Sequence, residues 1–361
     1  MKLSLHMIVR NAEHKLGRTL DSVKSFVDEM VIVDTGSTDG TKALAERYGA
    51  TVYDYEWADD FSAARNFSLS KTTGDWITWF DAGDVLSPES IAAFEWIRNQ
   101  QYMTDPNAPI NYIIGKLNRT YDEHGLVKVR HATPRLVRRS ANPRWISPIH
   151  EALLVDNPVI YSADFLVVDD PEGQLSSAAE RNLRIMERWM RQSPSELVRC
   201  SIMRSRELEA LGRYEEAVVH AHMVHQLQMD NMSFGEHYLC LGRCFMKLGN
   251  KAAAQEMLLK SIINFPFIPD AFVLLGDLEL DAKEWKRAIP YYRASLETDS
   301  KHVRWVEVVS YYSYEPYEKL GHCYLGLGDK QTARSFFRQA IDVAPPHVVK
   351  LIKQTVKEMS V

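Results

Sequence analysis

The stretch DWITWFDAGDVLSP, residues 75–88, closes an apolar run with Asp81 and Asp84, and Gly83 stands between them. Carboxylates in this arrangement are the ligand type that a hard divalent cation takes, and the glycine lets the backbone turn tightly beside such an ion. A solvated loop would use the same residues. MIVRNAE places Asn11 and Glu13 after one apolar run, VIVDTGSTDGT places Asp34, Ser37 and Asp39 after a second, and WADDFSAARNFSL carries Asp60, Arg65 and Asn66. An acid at the end of a parallel strand, followed by Gly36 and a short turn into a helix, is positioned to hydrogen-bond a base or ribose. The alternative is an Asx-turn with Asp39 or Thr38 capping the next helix. Asp60 is placed to cap the helix that begins near Phe61. Arg65 suits a diphosphate through its fork of donors, although arginines on surface helices are commonly just solvated. Downstream, WISPIHEALL offers His150 and Glu151. Diphosphate chemistry in such a site draws on Mg²⁺ or Mn²⁺, which neutralises charge building on the leaving group. The dinucleotide fingerprint GxGxxG is absent, which removes most support for hydride transfer.

These residues need a frame that gathers strand ends. Up to about residue 170, β-branched runs alternate with helical ones: LSLHMIV then Lys15 to Phe26, EMVIVD then Lys42 to Tyr48, ATVYDYEW then Phe61 to Lys71, and WITWFD then Pro88 to Arg98. Strand followed by helix, repeated in this way, predicts a mostly parallel sheet covered on both faces. INYIIGKLNRTYDEHGLVKVRHATPRLVRR then alternates around DEHG as an antiparallel hairpin. In such a composite sheet ligands belong at the carboxyl ends of the parallel strands.

From about residue 176 the strand signals give way to a repeat. Ala217, Ala254, Ala288 and Ala333 align, with Gly242, Gly276 and Gly321 before the last three and Leu258, Tyr292 and Phe337 after them. Ser205 replaces the glycine of the first unit. Small residues let the two helices of a hairpin approach, and the large ones fill the space between hairpins. The period, near 34 residues and about 45 before the last unit, resembles that of the tetratricopeptide repeat. Stacked hairpins imply one solenoid with a concave surface. HVRWVEVVSYYSYEPYEKLG gathers Trp305, Tyr311, Tyr312, Tyr314 and Tyr317, as helix packing, a sugar or peptide platform, or a dimer contact.

The 361 residues are 45% hydrophobic and 25% charged with a formal net charge of -5, an ordinary globular composition with no basic surplus for nucleic acid or anionic lipid. MKLSLHMIVRN is too short and too interrupted for a signal peptide, and no apolar run is long enough for a membrane span, so a cytoplasmic location is expected. Cys200, Cys240, Cys244 and Cys323 lack the paired spacing of a zinc site and are expected as buried reduced thiols.

Taken in order, MIVRNAE, VDEMVIVDTGSTDGT, WADDFSAARNFSL, GDWITWFDAGDVL and RWISPIHEAL resemble the family 2 glycosyltransferases of GT-A fold, in a bacterial subgroup with C-terminal tetratricopeptide repeats. The resemblance covers about the first 155 residues. It implies a GT-A-like, Rossmann-like mixed α/β sheet over residues 1–170 and an all-α tetratricopeptide-repeat solenoid over 177–361, joined near Pro171 to Ser177. It implies an inverting transfer from a nucleotide sugar, commonly a UDP-sugar. Glu13, Asp34 and Asp60 would lie around the uridine, Arg65 and Asn66 near the diphosphate, and Asp81 at the family's Asp-x-Asp position. The second aspartate of that motif, usually the direct metal ligand, is here Gly83, and Asp84 follows. Asp81, Asp84 and His150 are the expected ligands of a Mn²⁺ or Mg²⁺ ion; weak metal binding or a non-catalytic site are the other outcomes.

An inverting displacement needs a carboxylate to take the acceptor's proton. Glu151 is the first candidate, Asp84 the second and Asp122 the third. Solenoids of this repeat commonly hold extended peptides, so a peptide or protein acceptor is expected, as in repeat-bearing peptide glycosyltransferases. Lipopolysaccharide and other envelope glycans are the alternative. The repeat block leaves room for a homodimer. A non-catalytic scaffold with a degenerate sugar-nucleotide site is the reading from another class, and Gly83 favours it. A nucleotidyltransferase would want a glycine-rich, basic N-terminal loop, which IVRNAEHKLG does not provide.

Overall fold

LSLHMIV folds as β1 (Leu3–Val9) in the middle of a sheet, and its two faces meet different neighbours. Leu3, Leu5, Met7 and Val9 point into a core built with α1 (Glu13–Val23) through Leu16, Leu20 and Val23. The computed structural model describes residues 1–121, 127–168, 175–222, 231–298 and 306–359. Contacts divide the chain into one unit of Met1–Tyr121 with Val129–Gly173 and another of Asp122–Lys128 with Gln174–Val361.

In the first unit β1 and α1 are followed by β2 (Glu29–Asp34), α2 (Thr41–Arg47), β3 (Thr51–Asp54), α3 (Phe61–Lys71) and β4 (Trp76–Trp79). Then come β5 (Val85–Leu86), α4 (Pro88–Arg98), α5 (Gln101–Thr104), β6 (Tyr112–Tyr121), β7 (Val127–Arg138), β8 (Arg144–Ile146), β9 (Ala152–Leu154) and β10 (Ile160–Val168). The sheet runs β3-β2-β1-β4-β7-β6-β10-β5. β3, β2, β1 and β4 are parallel, β4 and β7 antiparallel, and β8 pairs with β9 apart from the sheet. The sheet is therefore mixed, as expected, with its parallel half first. The hairpin's loop, with Asp122, lies outside the described residues. β5 and β10 were not anticipated: Val85 and Leu86 are too short a run to read as a strand, and they pair antiparallel with the end of β10. β4 shows why both sheet faces are covered. Trp76 enters the core under α1, while Ile77 and Trp79 enter a second core with Leu69 of α3, Val137 of β7 and Trp145 of β8.

The second unit is helical: α6 (Leu175–Gln192), α7 (Leu197–Ala210), α8 (Tyr214–His222), α9 (Asn231–Lys247), α10 (Lys251–Asn264), α11 (Pro269–Asp281), α12 (Trp285–Leu296), α13 (Glu315–Gly326), α14 (Lys330–Val343) and α15 (Pro346–Glu358). A methyl group on Gly276 would sit 2.6 Å from the ring of Tyr292, and one on Gly321 equally close to Phe337, so the glycines are what let paired helices touch. In the first pair Ser205 Oγ reaches the carbonyl of Ala217 at 3.3 Å instead. The turns also repeat: Gly249 and Gly328 take φ of 72° and 82°, and Asn250 and Asp329 then cap α10 and α14 by accepting from Ala253 and Thr332. Tyr311, Tyr314 and Tyr317 pack against the repeat cores, which is the packing role; Trp305 lies outside the described residues. All four cysteines are free and buried. No helix among the described residues is long and apolar enough to cross a membrane.

Candidate active site

Asp34 closes β2 with its side chain 1% exposed. Its Oδ1 accepts the N–H groups of Gly36 at 2.9 Å and Ser37 at 2.7 Å, which turns the chain off the strand. Its Oδ2 is buried with no partner, an acceptor held ready at the sheet's carboxyl end. The tip after β1 is tied to this turn: the Asn11 N–H donates to Ser37 Oγ and Asn11 Oδ1 accepts from the Thr38 N–H, both at 2.8 Å. Glu13 opens α1, and its Oε2 accepts from the Gly40 N–H at 2.8 Å. Asp39 takes the turn role, accepting from the N–H groups of Thr41 and Glu13. Asp60 caps α3 through Oδ1, accepting from the Ala63 N–H at 2.9 Å and the Ser62 hydroxyl at 2.7 Å.

The centre of the constellation is Arg65, on the buried face of α3 at 4% exposure. Its Nε donates to Glu151 Oε1 at 2.6 Å and its Nη2 to Asp81 Oδ1 at 2.7 Å. The guanidinium lies 4.7 Å from the ring centre of Trp79 and 4.8 Å from that of Trp145. Burial opposes its charge, but Asp81 and Glu151 more than offset that and hold its pKa above the ordinary arginine value. Its Nη1 is buried without a partner. Behind it the imidazole of His6 is fully buried, and burial together with Arg65 lowers its pKa to about 3, so it stays neutral.

Asp81, Arg65 and Glu151 are thus brought together; Asn66, Asp84 and His150 stand differently from expectation. Asn66 does not aim at the site: its Nδ2 donates to the Trp145 carbonyl and its Oδ1 accepts the Trp145 N–H, each at 2.8 Å, which fixes β8 against α3. Asp84 is 2% exposed, and its Oδ2 accepts from Arg135 Nη1 at 2.9 Å and from the Asp81 N–H at 3.1 Å. Burial pushes its carboxyl pKa up against the pull of Arg135. With its side chain 3% exposed, against 13% for Glu151 and 42% for Asp81, Asp84 is closed off from a cation and from an acceptor, so both roles expected of it are corrected to a structural one. His150 is exposed, in the left-handed region at φ 49°. The ligand atoms of Asp81, Asp84 and His150 do not close into one group; among the described residues only Glu209, Cys240 and Cys244 gather within 4.8 Å of one another. That group is no cation site, because Arg243 holds both oxygens of Glu209. The carboxylate that fits a hard cation is Asp81, with its side chain 42% exposed.

Three residues of the arrangement escaped the sequence reading: Trp79, Trp145 and Arg135. Trp79 lies inside a run read as a strand, and Trp145 stands in WISPIHEALL, read only for His150 and Glu151. Arg135 sits inside PRLV, and a charge within an apolar strand was the available signal, since burial would demand a partner.

The family profile for glycosyl transferase family 2 matches residues 4–143, and tetratricopeptide-repeat profiles match residues 241–302 and 314–347. A TPR repeat-containing protein of Synechococcus elongatus is 34% identical over 223 residues, 55% of this chain and 51% of that protein. An uncharacterized glycosyltransferase of Rickettsia felis is 38% identical over 96 residues, 27% of this chain and 34% of its own length. The SPbeta prophage-derived glycosyltransferase SunS of Bacillus subtilis is 25% identical over 222 residues, 59% of this chain and 50% of its own. The chain thus spans about half the length of the first of these curated relatives and a third of the second. Four of the five ordered motifs fall within the first match and the units of Ala254, Ala288 and Ala333 within the other two, while RWISPIHEAL and the first repeat unit lie outside them; over the matched residues the chain carries a glycosyl transferase family 2 domain and tetratricopeptide repeats.

Proposed function

We propose that the first unit transfers a sugar from a nucleotide-sugar donor, a UDP-sugar, to an acceptor with inversion at the anomeric carbon. The observation that carries this reading is Arg65 holding Asp81 and Glu151 together at the carboxyl end of the parallel strands. Asp34 Oδ2 accepts from the base or ribose, with Glu13 and Asp60 on the neighbouring tips. Arg65 keeps the two acids oriented toward the donor's diphosphate. The acids Asp81, Asp84 and Glu151 outnumber the guanidiniums Arg65 and Arg135, so a diphosphate would enter a site of net negative charge. A Mn²⁺ or Mg²⁺ ion would be held by Asp81, joined by His150 only on donor binding since their ligand atoms do not gather here, and it would supply the missing positive charge. The acceptor atom attacks the anomeric carbon as the bond to the diphosphate breaks, and Glu151 takes the acceptor's proton.

The acceptor that suits the second unit is a peptide or protein. Its concavity of about 750 Å³ is lined by Arg206, Arg243, Lys247, Asp277, Asp281 and Tyr311, both signs of charge around a half-apolar floor. The test is a panel of UDP- and GDP-sugars with Mn²⁺, Mg²⁺ or chelator, scored for released nucleoside diphosphate. Metal-dependent release that falls in Asp81→Ala supports the reading; binding of nucleotide with no turnover on any acceptor peptide would turn it into a sensor.

A further inference from the structure

Gly83 stands where a second carboxylate would hold the metal, and the strand tip is built around a different residue. We propose that Arg135, on β7, is a positioning residue that holds Asp81 for the donor and its cation. The proposal rests on the sugar-transfer reading for its functional arm only.

Arg135 is fully buried. Its Nη1 donates to the Trp79 carbonyl and to Asp84 Oδ2, each at 2.9 Å, so it grips the chain on both sides of Asp81. Between those grips the turn closes on itself: the Asp81 N–H donates to Asp84 Oδ2 at 3.1 Å and the Asp84 N–H returns to the Asp81 carbonyl at 3.0 Å. Gly83 supplies the φ of 112° that this turn needs, and its N–H donates to Thr19 Oγ1 at 2.9 Å. From this closed turn only the Asp81 carboxylate reaches outward. A second route runs through Trp79. The Arg135 guanidinium lies 4.1 Å from the centre of the indole that also carries Arg65, and Arg65 holds Asp81 Oδ1. Stability alone does not account for such a residue. Arg135 Nε and Nη2 are buried without partners, and a buried ion pair is commonly replaced by apolar residues at no loss. Its gain is geometric: it fixes the backbone that presents Asp81, as outer-shell groups fix metal ligands.

The test uses the full chain in two variants. Arg135→Met with Asp84→Asn removes the guanidinium without leaving a buried charge, and the new amide oxygen can still accept from the Asp81 N–H. Arg135→Lys keeps the charge pair and loses the planar guanidinium that lies against Trp79. Thermal unfolding, hydrogen exchange across residues 79–84 without ligand, and calorimetry with UDP and Mn²⁺ are then compared. The expected result is folded protein with faster exchange at the Asp81, Gly83 and Asp84 amides and UDP–Mn²⁺ affinity about 10- to 100-fold weaker in whichever variants fold. Exchange at the wild-type rate, or affinity unchanged despite faster exchange, would overturn the proposal. A wild-type protein that binds no UDP would refute the donor reading instead, and exchange alone would then decide the role of Arg135.

Discussion

Arg65 and Glu151 meet at 2.6 Å although 86 residues separate them in the chain. The contact joins α3 to the segment that enters β9, and it makes the placement of the candidate base depend on the arginine. Arg65→Lys keeps a positive charge but cannot reach Glu151 and Asp81 together from its place against Trp79 and Trp145. The expected outcome is a loss of about 10²-fold in kcat/KM for nucleoside diphosphate release, similar to removing one preorganised donor. A lysine variant with wild-type turnover would separate the arginine from the chemistry.

Asp81 and Asp84 should part company under mutation. The Asp81 side chain is 42% exposed and Arg65 keeps Glu151 without it, so Asp81→Ala should abolish metal-dependent donor binding at a smaller cost in stability than Asp84→Ala. Asp84→Ala leaves Arg135 buried without its carboxylate and should cost about 3–5 kcal/mol of stability. Urea titration of both variants checks this. Equal destabilisation would remove the structural role assigned to Asp84.

What the sequence made legible follows from the kind of signal each feature leaves. Period-two apolar runs and their following helices mark the parallel half of the sheet, and α3 and α4 start at the residues expected because Asp60 and Ser87 cap them. Asp34 and Asp81 could be read as strand tips because an acid after an apolar run is conspicuous. The partner of Asp84 could not, since the side chains of residues 84 and 135 meet only when β7 lies beside β4. Asn66 misled for a related reason: its neighbour Arg65 faces the site, but its own amide turns to the backbone of Trp145. Pairings across the sheet are invisible to a one-dimensional pattern, however regular the pattern is.

The repeat turns yield a prediction with a stabilising sign. Gly212, Gly249 and Gly328 occupy the left-handed region at the ends of α7, α9 and α13, and Lys283 occupies it after α11 at φ 60°. A side chain there costs about 1–2 kcal/mol that glycine avoids, partly offset by glycine's greater freedom when unfolded. Lys283→Gly should therefore raise the stability of the repeat unit by up to about 1 kcal/mol, and Gly328→Ala should lower it by a similar amount. Chemical unfolding followed by helical circular dichroism reads both.

His6 predicts how acid acts on the first unit. Its pKa falls from 6.5 in the unfolded chain to about 3 in the fold, because burial and then Arg65 lower it by more than Asp81 raises it. Between those values the unfolded state binds a proton that the folded state refuses, so stability rises with pH across the window and is fully present above it. From pH 6.5 down to pH 5 the imidazole alone should remove about 1.6 kcal/mol, since the slope grows to 1.36 kcal/mol per unit only once the unfolded imidazole is protonated. That range lies above the ordinary titration of carboxylates, and His220, whose pKa is also lowered by burial, contributes equally to wild type and variant. His6→Met should flatten the slope by that amount in urea unfolding followed by tryptophan fluorescence. An unchanged slope would mean that the His6 imidazole takes up its proton in the fold, beside the Arg65 guanidinium, and the neutral floor proposed beneath the site would be wrong.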